Sequence, residues 1–262
     1  MKKTLIALMA LAGISGAGEI TDGMVAVWTF DNGNTGYTSY TGFSGGVNTG
    51  LSDNNMVASG GVDGNGYVKT HYEGGNMDFY NGMGDMNISA NSFTLSFKVR
   101  AVAADYTTLF SMNLGSFGQL NMQTENPGNG SDTCIYCPNN QTLELTEDSA
   151  RSAIKGNDSW ANIIVTGDGQ NLTLNINGYT ATLAYSANGN LNNFQLGSLW
   201  GDGSRRANAQ FDDLAIWNRV LDEREIASLA NGSTALNAVP EPTTATLSLL
   251  ALAGLAVRRR RK

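Results

Sequence analysis

Apolar and polar residues alternate with a period of two along much of the middle of the chain, and that alternation predicts strands. The clearest run is Ser92–Arg100, where Phe93, Leu95, Phe97 and Val99 alternate with Thr94, Ser96 and Lys98; it reads as a strand with one buried face. Gln170–Asn177 and Tyr179–Tyr185 flank Asn177-Gly178, a dipeptide whose residues both tolerate positive φ, so the two runs form a hairpin. Gly23–Phe30, Tyr67–Thr70, Thr107–Asn113, Phe117–Gln123, Gln141–Thr146, Ser159–Thr166 and Asn193–Ser198 are further strand candidates. Asp31-Asn32-Gly33-Asn34 and Asp63-Gly64-Asn65-Gly66 read as turns, and Gly36–Gly61 as irregular surface chain rich in Gly, Ser, Thr and Asn.

The last strand candidate differs from the rest. Phe211, Leu214, Ala215, Ile216 and Trp217 form an apolar run in which two acids, Asp212 and Asp213, are embedded. Asn218-Arg219 breaks it, and a short helix follows. Asp222 is the natural N-cap and Glu225, three residues on, completes a capping box; Ile226 and Leu229 share an apolar face, and Gly232 ends the helix. Roughly twelve strands and one late helix predict an all-β fold, a two-sheet antiparallel jelly-roll sandwich.

Both ends of the chain fall outside this pattern. Residues 1–17 have a charged start at Lys2 and Lys3, an apolar stretch over Leu5–Ile14 and small residues at Ser15-Gly16-Ala17, which predicts a secretory signal peptide. Residues 237–262 carry Pro240-Glu241-Pro242, an apolar stretch over Ala245–Val257 and the basic run Arg258, Arg259, Arg260, Arg261 and Lys262. The apolar stretch is shorter than the roughly 20 residues of a full membrane span, which suits transient anchoring, and the basic run sets its orientation. The body between them, residues 18–236, is one domain. Removing both ends takes away seven of 16 basic residues and one of 23 acids, leaving nine against 22 and a net charge of −13. Such a body repels nucleic acid and anionic lipid.

The closing segment resembles that of LamG-like domains in the concanavalin A-like lectin/glucanase superfamily. The match runs through Phe211, Asp212, Asp213, Leu214, Ile216, Trp217, Leu221, Glu225 and Ile226, and is extended by Val25–Asp31, Ser92–Arg100 and Ser159–Thr166. The tail resembles a PEP-CTERM sorting signal, with Pro240, Glu241, Pro242 and the arginines in the expected order. That resemblance implies an exosortase-type processing enzyme as a partner and a place in a Gram-negative cell envelope, at its outer surface or in the extracellular matrix.

Catalytic chemistry finds little support in these residues. Glycoside hydrolysis needs two carboxylates facing each other across a cleft. The nearest acidic run, Glu144-Leu145-Thr146-Glu147-Asp148, lacks that spacing, and His71 is the one histidine available as a base. Cys134-Ile135-Tyr136-Cys137 has neither the helix of a redox pair nor two further soft ligands for zinc. In an exported chain it predicts a local disulfide between Cys134 and Cys137 that pins a long loop. The LamG-like resemblance implies structural calcium where the first and last strands meet, and the matching acids are Asp31 and Asp212. Alternation from Leu214 and Ile216 turns Asp212 inward, where a carboxylate needs either an ion or backbone amides. The resemblance also assigns Trp28, Trp160 and Trp217 to the core. Trp200 lies instead in a polar loop with Asp202, Arg205 and Arg206, a setting either for stacking on a glycan or exopolysaccharide ring or for a lid over the sandwich edge. The expected protein is an exported, non-catalytic envelope module for carbohydrate binding, adhesion or matrix assembly. A glycoside-active enzyme on the same fold and a purely structural envelope protein are the alternatives.

Overall fold

The computed structural model describes residues 20–31, 38–39, 48–49, 56–70, 80–83, 86–100, 102, 107–126, 131–138, 141–145, 153–154, 158–197 and 207–236. In chain order the strands are β1 (Met24–Trp28), β2 (Thr38–Ser39), β3 (Asn48–Thr49), β4 (Met56–Val57), β5 (Tyr67–Thr70), β6 (Tyr80–Met83), β7 (Phe93–Arg100), β8 (Thr108–Leu114), β9 (Gly118–Asn126), β10 (Ser131–Tyr136), β11 (Thr142–Glu144), β12 (Ala161–Gly167), β13 (Asn171–Ile176), β14 (Tyr179–Ala184), β15 (Leu191–Leu196) and β16 (Ala209–Trp217), followed by helix α1 (Glu223–Ala230). They form two antiparallel sheets. One runs β14-β13-β12-β7-β16-β1-β2, with β5 also on β16 and β4 beyond it; the other runs β11-β10-β9-β8-β15-β6-β3.

The alternating residues of each strand meet between the sheets. Phe97 and Phe211 of the nine-stranded sheet face Phe110 and Phe194 of the seven-stranded one. Phe97 lies 5.8 Å edge-on from Phe110 and 6.1 Å from Phe211, and Phe110 and Phe194 stack at 6.4 Å. Edge-to-face and offset contacts of this kind add to the burial of large apolar area. The β13–β14 hairpin turns at Asn177 and Gly178, with φ of 51° and 91°, as the Asn-Gly pair predicts.

Helix α1 forms as its sequence dictates. The Asp222 side chain accepts from the Arg224 and Glu225 amides while the Glu225 side chain accepts from the Asp222 amide at 2.7 Å. Arg219 adds a two-point contact to Glu225 at 2.7 and 2.6 Å, so the buried Glu225 carboxylate is fully engaged. The helix covers a second apolar cluster of Ile20, Met24, Ala215, Trp217, Leu221, Leu229 and Ala235 on the outside of the nine-stranded sheet.

That second cluster alters one expectation. Strand β7 has both faces buried, because Thr94, Ser96 and Lys98 lie beneath the segment after β16. Thr94 Oγ1 donates to the Arg219 carbonyl and accepts from the Leu221 amide. Strands β6 and β10, and the short pairs β2, β3 and β4, have no counterpart in the sequence pattern. Strands β2, β3, β4 and β6 are two to four residues long, β6 is held by the distant β15, and β10 is held between its chain neighbours β9 and β11.

Strand β10 also corrects the disulfide. Cys134 lies within the strand, opposite Glu144, and Cys137 follows immediately after it. Three extended residues span roughly 10 Å and end on the opposite face, whereas a bridge needs Cα atoms within about 7 Å. Cys137 stands as a buried thiol in the core, its sulfur 3.8 Å from the Ile135 carbonyl oxygen.

Candidate functional site

The first and last strands lie side by side, Trp28 opposite Leu214, and beside their junction is a cavity of about 130 Å³ lined by Thr29, Asp31, Asp63, Asp212, Asp213, Thr234 and Leu236. Asp31 and Asp212 are therefore brought together as expected, and Asp63 and Asp213 join them.

A β-bulge decides how these acids point. Opposite β7 the register runs from Asp212–Lys98 to Ala215–Ser96 with one extra residue between, and Asp213 has a φ of 48°, which aspartate tolerates better than most residues. The bulge reverses the alternation. Leu214 and Ile216 face the sandwich interior, but Asp212 shares the outer face with Lys98. The inward Asp212 inferred from its spacing to Leu214 is thus corrected, although the side chain is buried, at 3% exposure, beneath the loop 60–66.

The burial is compensated by backbone. Asp212 accepts from the Val62 amide at 2.7 Å through Oδ2 and from the Asp213 amide at 2.8 Å through Oδ1. Gly61 permits this approach: a Cβ there would stand 2.7 Å from Asp212 Oδ2 and 2.1 Å from the Gly66 carbonyl oxygen. Asp213 accepts from the Ala235 amide at 2.7 Å. Lys98, 1% exposed, donates to Asn162 Oδ1 at 2.6 Å and to the Ser233 carbonyl at 2.7 Å, and Asn162 donates to the Ala230 carbonyl. Burial lowers the Lys98 pKa and raises that of Asp213, and their mutual attraction opposes both shifts. Lys98 and Asp213 together hold the segment after α1 to the central strands. The sequence had placed Lys98 only on the polar side of a strand; its signal was a lone cation opposite an Asp-Asp pair.

The donor set does not fit a calcium ion as arranged. Both Asp212 oxygens are held by amides, and among the described residues no three acidic, histidine or cysteine side chains converge on a common point. Of the two roles open to Asp212, capping of loop amides is the one this geometry supports. Chelator should accordingly leave the melting temperature unchanged, and a rise on adding calcium would overturn that assignment.

The Asp212 carboxyl is pushed up to about 7 by burial, with Asp63 and Asp31 adding to the effect and the Val62 and Asp213 amides opposing it. The folded value lies above the unfolded value of about 3.9, so the folded state binds the proton more tightly. The corresponding stability is present in full below about pH 4 and is lost as pH rises toward 7. Urea unfolding across pH 4–8 should show this decline, and Asp212→Asn should reduce its slope, leaving the part that the raised Asp213 carboxyl contributes.

A second cluster lies on the outer face of the same sheet. The Arg100 guanidinium stands 4.2 Å from the Trp160 ring centroid and 5.0 Å from that of Tyr67, with the two rings edge-on at 5.9 Å. Arg100 also donates to Gln210 Oε1 and to the Gly60 carbonyl. Trp28 and Trp217 are fully buried, as their assignment to the core requires, but Trp160 is not a core residue. Ala161 takes the interior position opposite Val99, so alternation sends Trp160 outward into a cation–π contact. Trp200, Asp202, Arg205, Arg206 and His71, like residues 1–17 and 237–262, lie outside the described residues.

Residues 63–227 match the family model of the concanavalin A-like lectin/glucanases superfamily. The chain belongs to that superfamily. Residues 238–262 match the PEP-CTERM protein-sorting motif. No curated protein is significantly similar to the chain. Among solved members of this fold, a structure from work on botulinum neurotoxin type C, whose cell entry depends on interaction with two ganglioside molecules, aligns with a TM-score of 0.56 at 16% identity over 81% of this chain and 51% of that one. The botulinum neurotoxin serotype G binding domain aligns at 0.54 and 16% identity over 79% and 50%. Domain 4 of an extracellular arabinanase from Geobacillus stearothermophilus, in complex with arabinotriose, aligns at 0.50 and 17% identity over 79% and 98%. The chain spans about half the length of the neurotoxin chains it matches. At these identities the likeness is one of fold.

Proposed function

We propose that the protein is an exported, non-catalytic carbohydrate-binding module of the cell envelope. The observation that carries this reading is the state of its buried acids. Asp212, Asp213 and Glu225 are the buried carboxylates among the described residues, and each is held by backbone amides, Lys98 or Arg219. Each Asp212 oxygen is engaged by a backbone amide, which supports a structural role for that carboxylate over a catalytic one. Kinship of fold with a ganglioside-dependent toxin and with an arabinotriose-bound domain supports binding as the role. Protein incubated with a panel of soluble polysaccharides should be retained by at least one and release no reducing ends. Sustained release of reducing ends would establish an enzyme, and retention by none would leave adhesion or a structural role.

The sorting motif supports processing by an exosortase-type enzyme after export through residues 1–17. Ala235 is fixed by Asp213, and Pro240 lies five residues on, so extended chain places the motif within about 17 Å of the sandwich. The processing enzyme therefore works close to the folded domain. Intact mass of protein extracted from envelopes should end before Lys262.

A further inference from the structure

Lys98 and Asn162 stand directly opposite each other on the paired strands β7 and β12. From this pair we propose a covalent modification: an intramolecular isopeptide bond between Lys98 Nζ and the side-chain carbon of Asn162, formed with loss of one ammonia. Nζ lies 2.6 Å from Asn162 Oδ1. A carbonyl bond is about 1.2 Å long, so Nζ is within roughly 3.8 Å of Cγ, near the 3–3.5 Å or so from which attack begins. Opposite residues of an antiparallel pair have Cβ atoms about 5 Å apart, and the register of β7 and β12 holds these two together.

The surroundings suit the reaction. Lys98 is 1% and Asn162 9% exposed, although lysine is rarely so buried. Both Nζ contacts are to neutral oxygens, Asn162 Oδ1 and the Ser233 carbonyl. Helix α1 and the segment behind it cover this face, and Ile164, Leu229, Ala230 and Ala235 belong to the apolar cluster there. Burial keeps water, the competing nucleophile, away from the amide. The amide is also oriented. Its Nδ2 donates to Asn177 Oδ1 and to the Ala230 carbonyl, both at 3.1 Å. Those two acceptors decide which end of the amide faces Lys98.

An amine attacks an amide only as the free base, and the amide nitrogen leaves only when protonated. Asp213 serves both needs. It and Asp212 are the acids whose charges act on Lys98, and both Asp212 oxygens are already held by amides. Burial lowers the Lys98 pKa and raises that of Asp213. Passage of one proton from Lys98 to Asp213 therefore replaces two buried charges with a free amine and a carboxylic acid. The Nζ lone pair attacks Cγ, and the Nζ–Cγ bond forms. Asp213 gives its proton to Nδ2 and takes one from Nζ; the Cγ–Nδ2 bond breaks and ammonia leaves. Nothing is oxidised or reduced, and no further reactant is needed. The bond ties β7 to β12 and closes a ring over residues 98–162 that contains all of β8–β11. Four strands of the seven-stranded sheet are thereby fastened to the centre of the other sheet by a link that survives unfolding.

Mass spectrometry of a tryptic digest of the full chain, purified in detergent and then denatured, tests the bond. Trypsin cuts after free lysine and arginine, so an unlinked chain releases residues 70–98 and 156–205 as separate peptides. A linked chain resists cutting at Lys98 and yields residues 70–100 joined to 156–205, lighter than the two together by one ammonia. That branched peptide is the expected result from the unaltered protein, which needs no variant to fold. Complete cutting at Lys98, with the Asn162 peptide intact, would overturn the proposal. Lys98 joined to the Asp213 peptide with loss of water would overturn the choice of Asn162. Asn162→Ala should abolish the branched peptide. In Asp213→Asn the fraction linked soon after synthesis should fall at least about tenfold, while hydrogen exchange shows β7 and β12 still protected. Undiminished linking in that variant would overturn the role of Asp213.

Discussion

Replacing Lys98 with methionine is expected to destabilise the domain by about 1–3 kcal/mol, the cost of leaving buried hydrogen-bonding groups without a partner. The side chain is 1% exposed, and its loss leaves the buried Asp213 without the cation whose attraction opposes the upward shift of its pKa. It also removes the donors to Asn162 and the Ser233 carbonyl. The segment after α1 should then loosen first, seen as faster hydrogen exchange over 231–236 before the sheets are affected. Adding Asp213→Asn to Lys98→Met should recover part of the loss, because the uncompensated charge is gone. Urea unfolding of the two variants decides the matter; equal stability of wild type and Lys98→Met would show that Lys98 carries no structural charge balance.

Trp217→Ala should cost about 3–5 kcal/mol, the range for a buried aromatic. The ring is fully buried in the cluster under α1, and its Nε1 donates to the Ile20 carbonyl. One side chain thus ties the start of the domain to its last strand and to the helix. Trp160→Ala should cost less, since that ring is half-buried and its principal contact is with Arg100. Thermal melts of the pair should therefore separate widely, and equal losses would put Trp160 back among the core tryptophans.

Much of the fold was legible because its signals are local. The Asn177-Gly178 turn, the alternation of β7 and the Asp222–Glu225 capping box each depend on residues within a few positions of one another. The calcium reading drew together Asp31 and Asp212 through the meeting of first and last strands, and that meeting is present. What the acids do there depended on Val62, Ala235 and Lys98, which come from three other parts of the chain.

The sequence by itself determined the strand-rich sandwich, the capped helix and the sorting tail, since a period of two, a capping box and a linear motif are written in neighbouring residues. Tertiary structure alone decided which way the functional side chains face. A period-two argument assumes an unbroken ladder, and one extra residue reverses every assignment beyond it. Asp213 supplies that residue in β16 and turns Asp212 outward toward Lys98; the shift at Asn193 places Asn192 and Gln195 on one outer face. The separation of Cys134 from Cys137 was decided by strand pairing in the same way, because a CxxC becomes a local bridge only where the chain turns, and β10 keeps it extended.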